Sequence, residues 1–128
     1  MKPLALTLTA MAMLLLATGQ ATAETAKAPK ACFSARNVAN FAAVDDRTLN
    51  IRVGVRDVYQ LDLAAICPDI ESQNEIAIKS RGSSFICSPF DATVIARGPF
   101  GRSQRCEVRG IRKLTLDEIA ALPSRDRP

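Results

Sequence analysis

The sequence predicts a mainly-β domain: a small antiparallel barrel or sandwich of about six to seven short strands, with a short C-terminal helix and two disulfides. Three observations point to it. Short apolar runs alternate with polar residues at the two-residue period of a half-buried strand. Clusters of Asp, Gly, Pro and Ser separate those runs at the spacing of an all-β fold. Cys32, Cys67, Cys87 and Cys106 are widely spaced and include no Cys-x-x-Cys pair, which fits a disulfide framework better than a zinc or redox centre.

The clearest strand is residues 48–55, where Leu49, Ile51, Val53 and Val55 share one face and Thr48, Asn50, Arg52 and Gly54 the other. Asp45-Asp46-Arg47 supplies turn formers, so residues 37–44 read as the preceding strand of a hairpin, although Val38, Phe41 and Ala42 also fit a helix. Arg56-Asp57 turns the chain into a strand in which Tyr59, Leu61 and Leu63 alternate with Val58, Gln60 and Asp62. Residues 64–73 contain Cys67-Pro68-Asp69 and read as a loop or a single helical turn. Residues 75–80 and 84–87 flank a turn at Arg81-Gly82-Ser83 and suggest a further hairpin.

Residues 92–97 form the next expected strand, closed by Gly98-Pro99-Phe100-Gly101 with Phe100 folding back on the core. Residues 105–114 form the last, and the change of parity between Val108 and Ile111 predicts a bulge around Gly110. Thr115 and Glu118 have capping-box spacing, and Leu114 and Ile119 occupy the positions of a hydrophobic staple. A short helix should therefore begin at Leu116 and end before Pro123.

In front of the domain, Lys2, an apolar run over residues 4–16 and the triplet Ala21-Thr22-Ala23 have the layout of a secretory signal peptide. The expected division is a signal peptide at 1–23, a flexible leader at 24–31 and a disulfide-stapled β domain at 32–128. The apolar run is too short for a permanent transmembrane helix, and Cys32 lies too far from it for lipidation. Export to the periplasm, or beyond the cell, is the expected destination, where thiols oxidise. Four cysteines allow three pairings. The arrangement favoured at this point joins Cys67 to Cys87 across the middle of the chain and Cys32 to Cys106 between its ends, partly because CFSARNVANF and CEVRGIRKL share a residue order that suggests neighbouring strands.

The chain has 17 basic and 13 acidic side chains, a net charge of +4 that becomes +3 once Lys2 is removed with the signal peptide. That balance is mixed rather than polycationic, and no nucleic-acid partner is expected. Histidine is absent. Ser-His-Asp and Cys-His catalysis and histidine-based zinc sites are therefore excluded. No catalytic residue, cofactor or metal is assigned. Asp45-Asp46 reads as a turn rather than an acid pair, and Ser83-Ser84 as a hairpin turn rather than a nucleophile elbow.

Arginine carries the one candidate site. It dominates the basic residues after the signal peptide, and its planar fork suits phosphate and carboxylate. Arg52 and Arg56 take outward positions, while Arg97, Arg102, Arg105, Arg109 and Arg112 cluster around one hairpin. Together they form a candidate anion-binding face for lipid headgroups, envelope polysaccharide or nucleic acid, the last weakened by aromatic residues that fall mostly at core-like positions. The bland alternative pairs them with acids across strands.

The segments VDDRT (44–48), RDVYQLDL (56–63), CPDI (67–70), SRGSSFICS (80–88) and LPSRDRP (122–128) resemble a family of small exported bacterial proteins known only as a domain of unknown function. The likeness spans residues 32–128. It implies envelope export and paired cysteines and supplies no activity. Some members of that family look like lipoproteins, from which this chain departs by its Ala-Thr-Ala site. The expected function is a non-catalytic periplasmic module that binds an envelope component or another exported protein. The alternatives are an enzyme using carboxylates alone on envelope glycan, which needs two facing carboxyl groups, and a protease inhibitor presenting the loop at 98–101.

Overall fold

In the computed structural model, which describes residues 31–128, the alternating runs form eight strands. They are β1 (Phe33–Ser34), β2 (Val38–Ala43), β3 (Thr48–Val53), β4 (Asp57–Leu63), β5 (Ala77–Ser80), β6 (Phe85–Ile86), β7 (Ala92–Arg97) and β8 (Ser103–Lys113). One α-helix, α1 (Leu116–Ala121), follows. The expected signal peptide, and all of the leader except Ala31, lie outside the described residues. Ala31 itself already packs against the core.

Six strands make one curled antiparallel sheet in the order β2-β3-β4-β8-β7-β5, and β1 pairs with β6 in a separate ribbon. The expected β2–β3 and β3–β4 hairpins are present. Asp45 makes the first turn, its carboxylate accepting from the Arg47 N–H at 2.8 Å. Gly54 makes the second at φ +64°, a left-handed conformation that costs glycine little. Val55, expected to face inward with the rest of its strand, lies in this turn and is exposed.

The concave face carries the core: Leu49 and Ile51 of β3, Leu61 and Leu63 of β4, Val94 of β7 and Val108 of β8 are buried together. The β1–β6 ribbon closes one end, with Phe33 and Ile86 in the same cluster and the Phe33 ring 4.9 Å from that of Tyr59. Ile70, from a 3₁₀ turn at Ile70–Ser72, joins the core through the segment that follows β4. The expected bulge is present, as the β4–β8 register shifts between the Asp62–Gly110 and Leu63–Val108 pairs. A side chain at Gly110 would come within 3.0 Å of the Asp62 carboxylate, so glycine is what lets Asp62 lie across β8.

The disulfides join Cys32 to Cys87 and Cys67 to Cys106, which overturns the pairing expected from the sequence. Sheet register is the physical reason. β1 pairs with β6 so that Phe33 faces Ile86, which sets Cys32 directly opposite Cys87. The shared residue order that suggested neighbouring terminal strands does not describe the topology, since β2 pairs with β3 and not with β8. In the same way β6 returns to β1 and not to β5, so the hairpin expected around Gly82 does not form. The segment that carries Cys67 is tied to β8 by the Ala64 N–H, which donates to the Glu107 carbonyl at 2.8 Å, while the Cys67 N–H donates to the Asp46 carbonyl in the β2–β3 turn. The bridges close loops of 55 and 39 residues. In the chain-entropy account each is worth about 4 kcal/mol.

The C-terminal segment folds back over the convex side of the sheet. Leu114 donates its N–H to the Val58 carbonyl, and the chain enters α1 through the expected capping box between Thr115 and Glu118. After α1 the tail reaches Asp126, whose carbonyl accepts from the Nδ2 of Asn50 at 2.9 Å. Asn50, Val58 and Leu114 are all buried. β3 is thus covered on both faces.

Candidate anion-binding face

Strand alternation and register place the arginines. On β7 and β8 the small or apolar Ala92, Val94, Ala96, Cys106 and Val108 turn inward, so Thr93, Ile95, Arg97, Arg105 and Glu107 turn outward, and Arg109, the extra residue of the bulge, is exposed. Ile95 lies opposite Arg105, Thr93 opposite Glu107 and Arg97 opposite Ser103. On the neighbouring β5, Lys79 lies opposite Thr93 and continues the row. Arg102 sits at the foot of the connecting loop, where its carbonyl accepts from the Gly98 N–H.

This part of the convex side is cationic and short of partners. Among the described residues its one ion pair joins Arg81 to Glu107 at 2.6 Å, and the same Glu107 oxygen accepts from the Thr93 hydroxyl at 3.1 Å. Among the described residues Arg97, Arg102, Arg105, Arg109 and Lys79 make no ion pair. The cross-strand pairing that would have neutralised them does not occur. Directly opposite side chains in a sheet stand about 5 Å apart and alternate residues along a strand about 7 Å apart, so these cations reinforce one another's field.

The other arginines of the predicted face go elsewhere. Arg112 lies on β8 beyond the bulge, held by the Glu118 carboxylate and by the Gln60 side chain at 3.1 Å. Arg52 is half-buried on the convex side of β3, between Asn40 and Val58. Arg56 is exposed in the β3–β4 turn, at the opposite end of the sheet from the β7–β8 loop. The predicted face therefore contracts to Arg97, Arg102, Arg105 and Arg109. It gains Lys79, which the sequence hid because β5 joins β7 through a non-local pairing.

At the tip of the β7–β8 hairpin, Phe100 is fully exposed. It does not fold back on the core as expected. Its backbone takes φ +63°, the left-handed region that bulky residues rarely enter, and this turns the ring away from the barrel. An apolar side chain thus stands free between Arg97 and Arg102.

One carboxyl group and one amine near the tail and ribbon are perturbed. The Glu118 carboxyl is held below its ordinary value, chiefly by the Thr115 backbone N–H and then by the Arg112 guanidinium. The Lys113 ammonium is raised, chiefly by its hydrogen bond to Asp57 at 3.0 Å. Both serve structure at the margin of the sheet. No group of three or more acidic or cysteine side chains among the described residues is arranged to hold a metal ion. The clefts near residues 71–77 are lined by Glu71 or by Glu75, one carboxylate in each. No helix among the described residues is long and apolar enough to cross a membrane.

Compared with known proteins, residues 1–127 match a family described as "Family of unknown function (DUF6491)". No curated protein and no solved structure matches the chain.

Proposed function

We propose a binding role on the premise that the chain belongs to a family of unknown function, DUF6491. It is a non-catalytic exported module that docks on the anionic lipid surface of the cell envelope through the β7–β8 hairpin. The observation that carries this reading is the fully exposed Phe100, held in a left-handed turn between Arg97 and Arg102 beside cations that make no ion pair among the described residues. An aromatic ring in the headgroup region gains from leaving water, and arginines beside it gain from phosphate. Arg97, Arg102 and Arg105 at about 1 kcal/mol each, with about 2 kcal/mol for the ring, give on the order of 5 kcal/mol. That corresponds to a dissociation constant of roughly 0.2 mM, a reversible surface contact and not an anchor.

Sedimentation of the domain with vesicles tests it. Binding to vesicles containing phosphatidylglycerol, absent with pure phosphatidylcholine and abolished on raising the salt, is the expected result. Equal binding to both vesicles, or binding to a soluble sulfated polysaccharide without binding to lipid, contradicts it.

A further inference from the structure

The geometry points to a second binding site, a groove along the outer edge of β2 that accepts a single extended peptide as an added strand. The curled sheet does not close on itself. Among the described residues β2 and β5 are its two edges, and β2 pairs only with β3. The hydrogen-bond phase along that pair is set by the Val44 N–H, which donates to the Thr48 carbonyl at 2.9 Å. Bonded and unbonded pairs alternate in an antiparallel ladder. Ala42 opposite Asn50 and Asn40 opposite Arg52 are therefore bonded to β3, whereas Phe41 opposite Ile51 and Ala43 opposite Leu49 turn their N–H and C=O groups to the open edge.

That edge forms the side of a cleft of about 470 Å³ over residues 40–44, walled by Glu71 and Asn74 on one side and by Arg125 and Arg127 of the tail on the other. A second cleft of about 190 Å³ continues it along residues 38–41 to Ile76. The two share Asn40, Phe41 and Asn74, so one groove follows the whole strand, about 20 Å for six residues.

The walls decide the occupant. A flat, exposed edge invites another folded sheet, and proteins commonly blunt such edges. Here the tail and the segment after Cys67 recess the edge, which leaves room for one chain and not for the edge of a second domain. The free groups are backbone donors and acceptors, which an extended peptide satisfies whatever its side chains. The partner is thus an unfolded or terminal segment of another polypeptide, about six residues long.

A fluorescein-labelled, end-blocked hexapeptide of alternating valine and threonine tests the site by polarisation and by amide hydrogen exchange. Saturable binding is expected, with exchange at Phe41 and Ala43 slowed at least tenfold and that at Ala42 unchanged. Ala43→Pro removes a donor that β3 does not use, and should lower affinity at least tenfold. As a check independent of the protein's stability, methylating the peptide nitrogens on one of its edges should abolish binding, while methylating the other edge should be better tolerated. Absence of binding at millimolar peptide, equal affinity for the two methylated forms, or a β2-to-β2 dimer in sedimentation would each overturn the proposal. None of these readouts depends on lipid binding.

Discussion

The two halves of the convex side share one sheet and opposite fates. Over β2, β3 and β4 the tail lies on the strands, and Ala42, Asn50 and Val58 are buried beneath it although they point away from the core. Over β8, β7 and β5 no described segment is laid down in this way: Thr93 is buried beside Glu107, and the other outward positions include the exposed Lys79, Arg97, Arg105 and Arg109. Side-chain choice follows coverage. A half that is roofed can use an asparagine as an internal bolt, whereas a bare half must stay wet and is free to take a partner.

The comparison breaks hardest if the roof is removed. Ending the chain after Leu114 exposes Val58 and Ala42 and leaves Asn50 without its Asp126 partner. Unfolding stability in urea should fall by roughly 3–5 kcal/mol, with vesicle binding by the folded fraction retained. Asn50→Ala is a finer cut: it deletes the bond to the Asp126 carbonyl and strips the Gln60 amide of its acceptor. A loss of about 2 kcal/mol is expected in the same measurement. Thr115→Ala removes the α1 cap and should cost about 1 kcal/mol.

Acid should loosen the roof before the rest. The Glu118 carboxyl is depressed in the folded state, so its contribution is fully present above the ordinary value of 4.5 and is lost as the pH falls through the lowered folded value. Hydrogen exchange at Ile119 and Leu122, whose N–H groups bond within and just after α1, should rise over that interval while exchange in β7 does not. The smallest effect belongs to the bare half. Arg105→Ala should change stability by under about 0.5 kcal/mol, because the side chain is exposed and makes no ion pair.

The legible parts of this fold were those written locally. The turn at Asp45, the strand over Leu49, Ile51 and Val53, the bulge at Gly110 and the capping box at Thr115 each depend on residues within a few positions of one another, and all are present. The disulfide pairing and the return of β6 to β1 depend on contacts between distant segments, which periodicity does not encode. Coverage was hidden for the same reason: Asn50 reads as an ordinary outward residue until the tail arrives 76 positions later. Of the candidate face, the arginines on β7, β8 and their connecting loop were legible because a hairpin keeps them close in sequence. Lys79, the edge of β2 and the walls of its groove required the topology.

Vesicle sedimentation of the Arg97→Glu, Arg102→Glu, Arg105→Glu triple variant beside Arg47→Glu separates the bare face from the roofed half. Arg47 is an equally exposed arginine, in the β2–β3 turn of the roofed half. The triple variant should lose affinity for phosphatidylglycerol vesicles by at least 100-fold, on the order of 1 kcal/mol for each arginine removed, and Arg47→Glu should change it less than twofold. A loss of about fivefold or more for Arg47→Glu, the third of the triple variant's free-energy loss that its share of the charge change requires, would show that net charge and not the bare face governs binding, and would contradict the proposed docking.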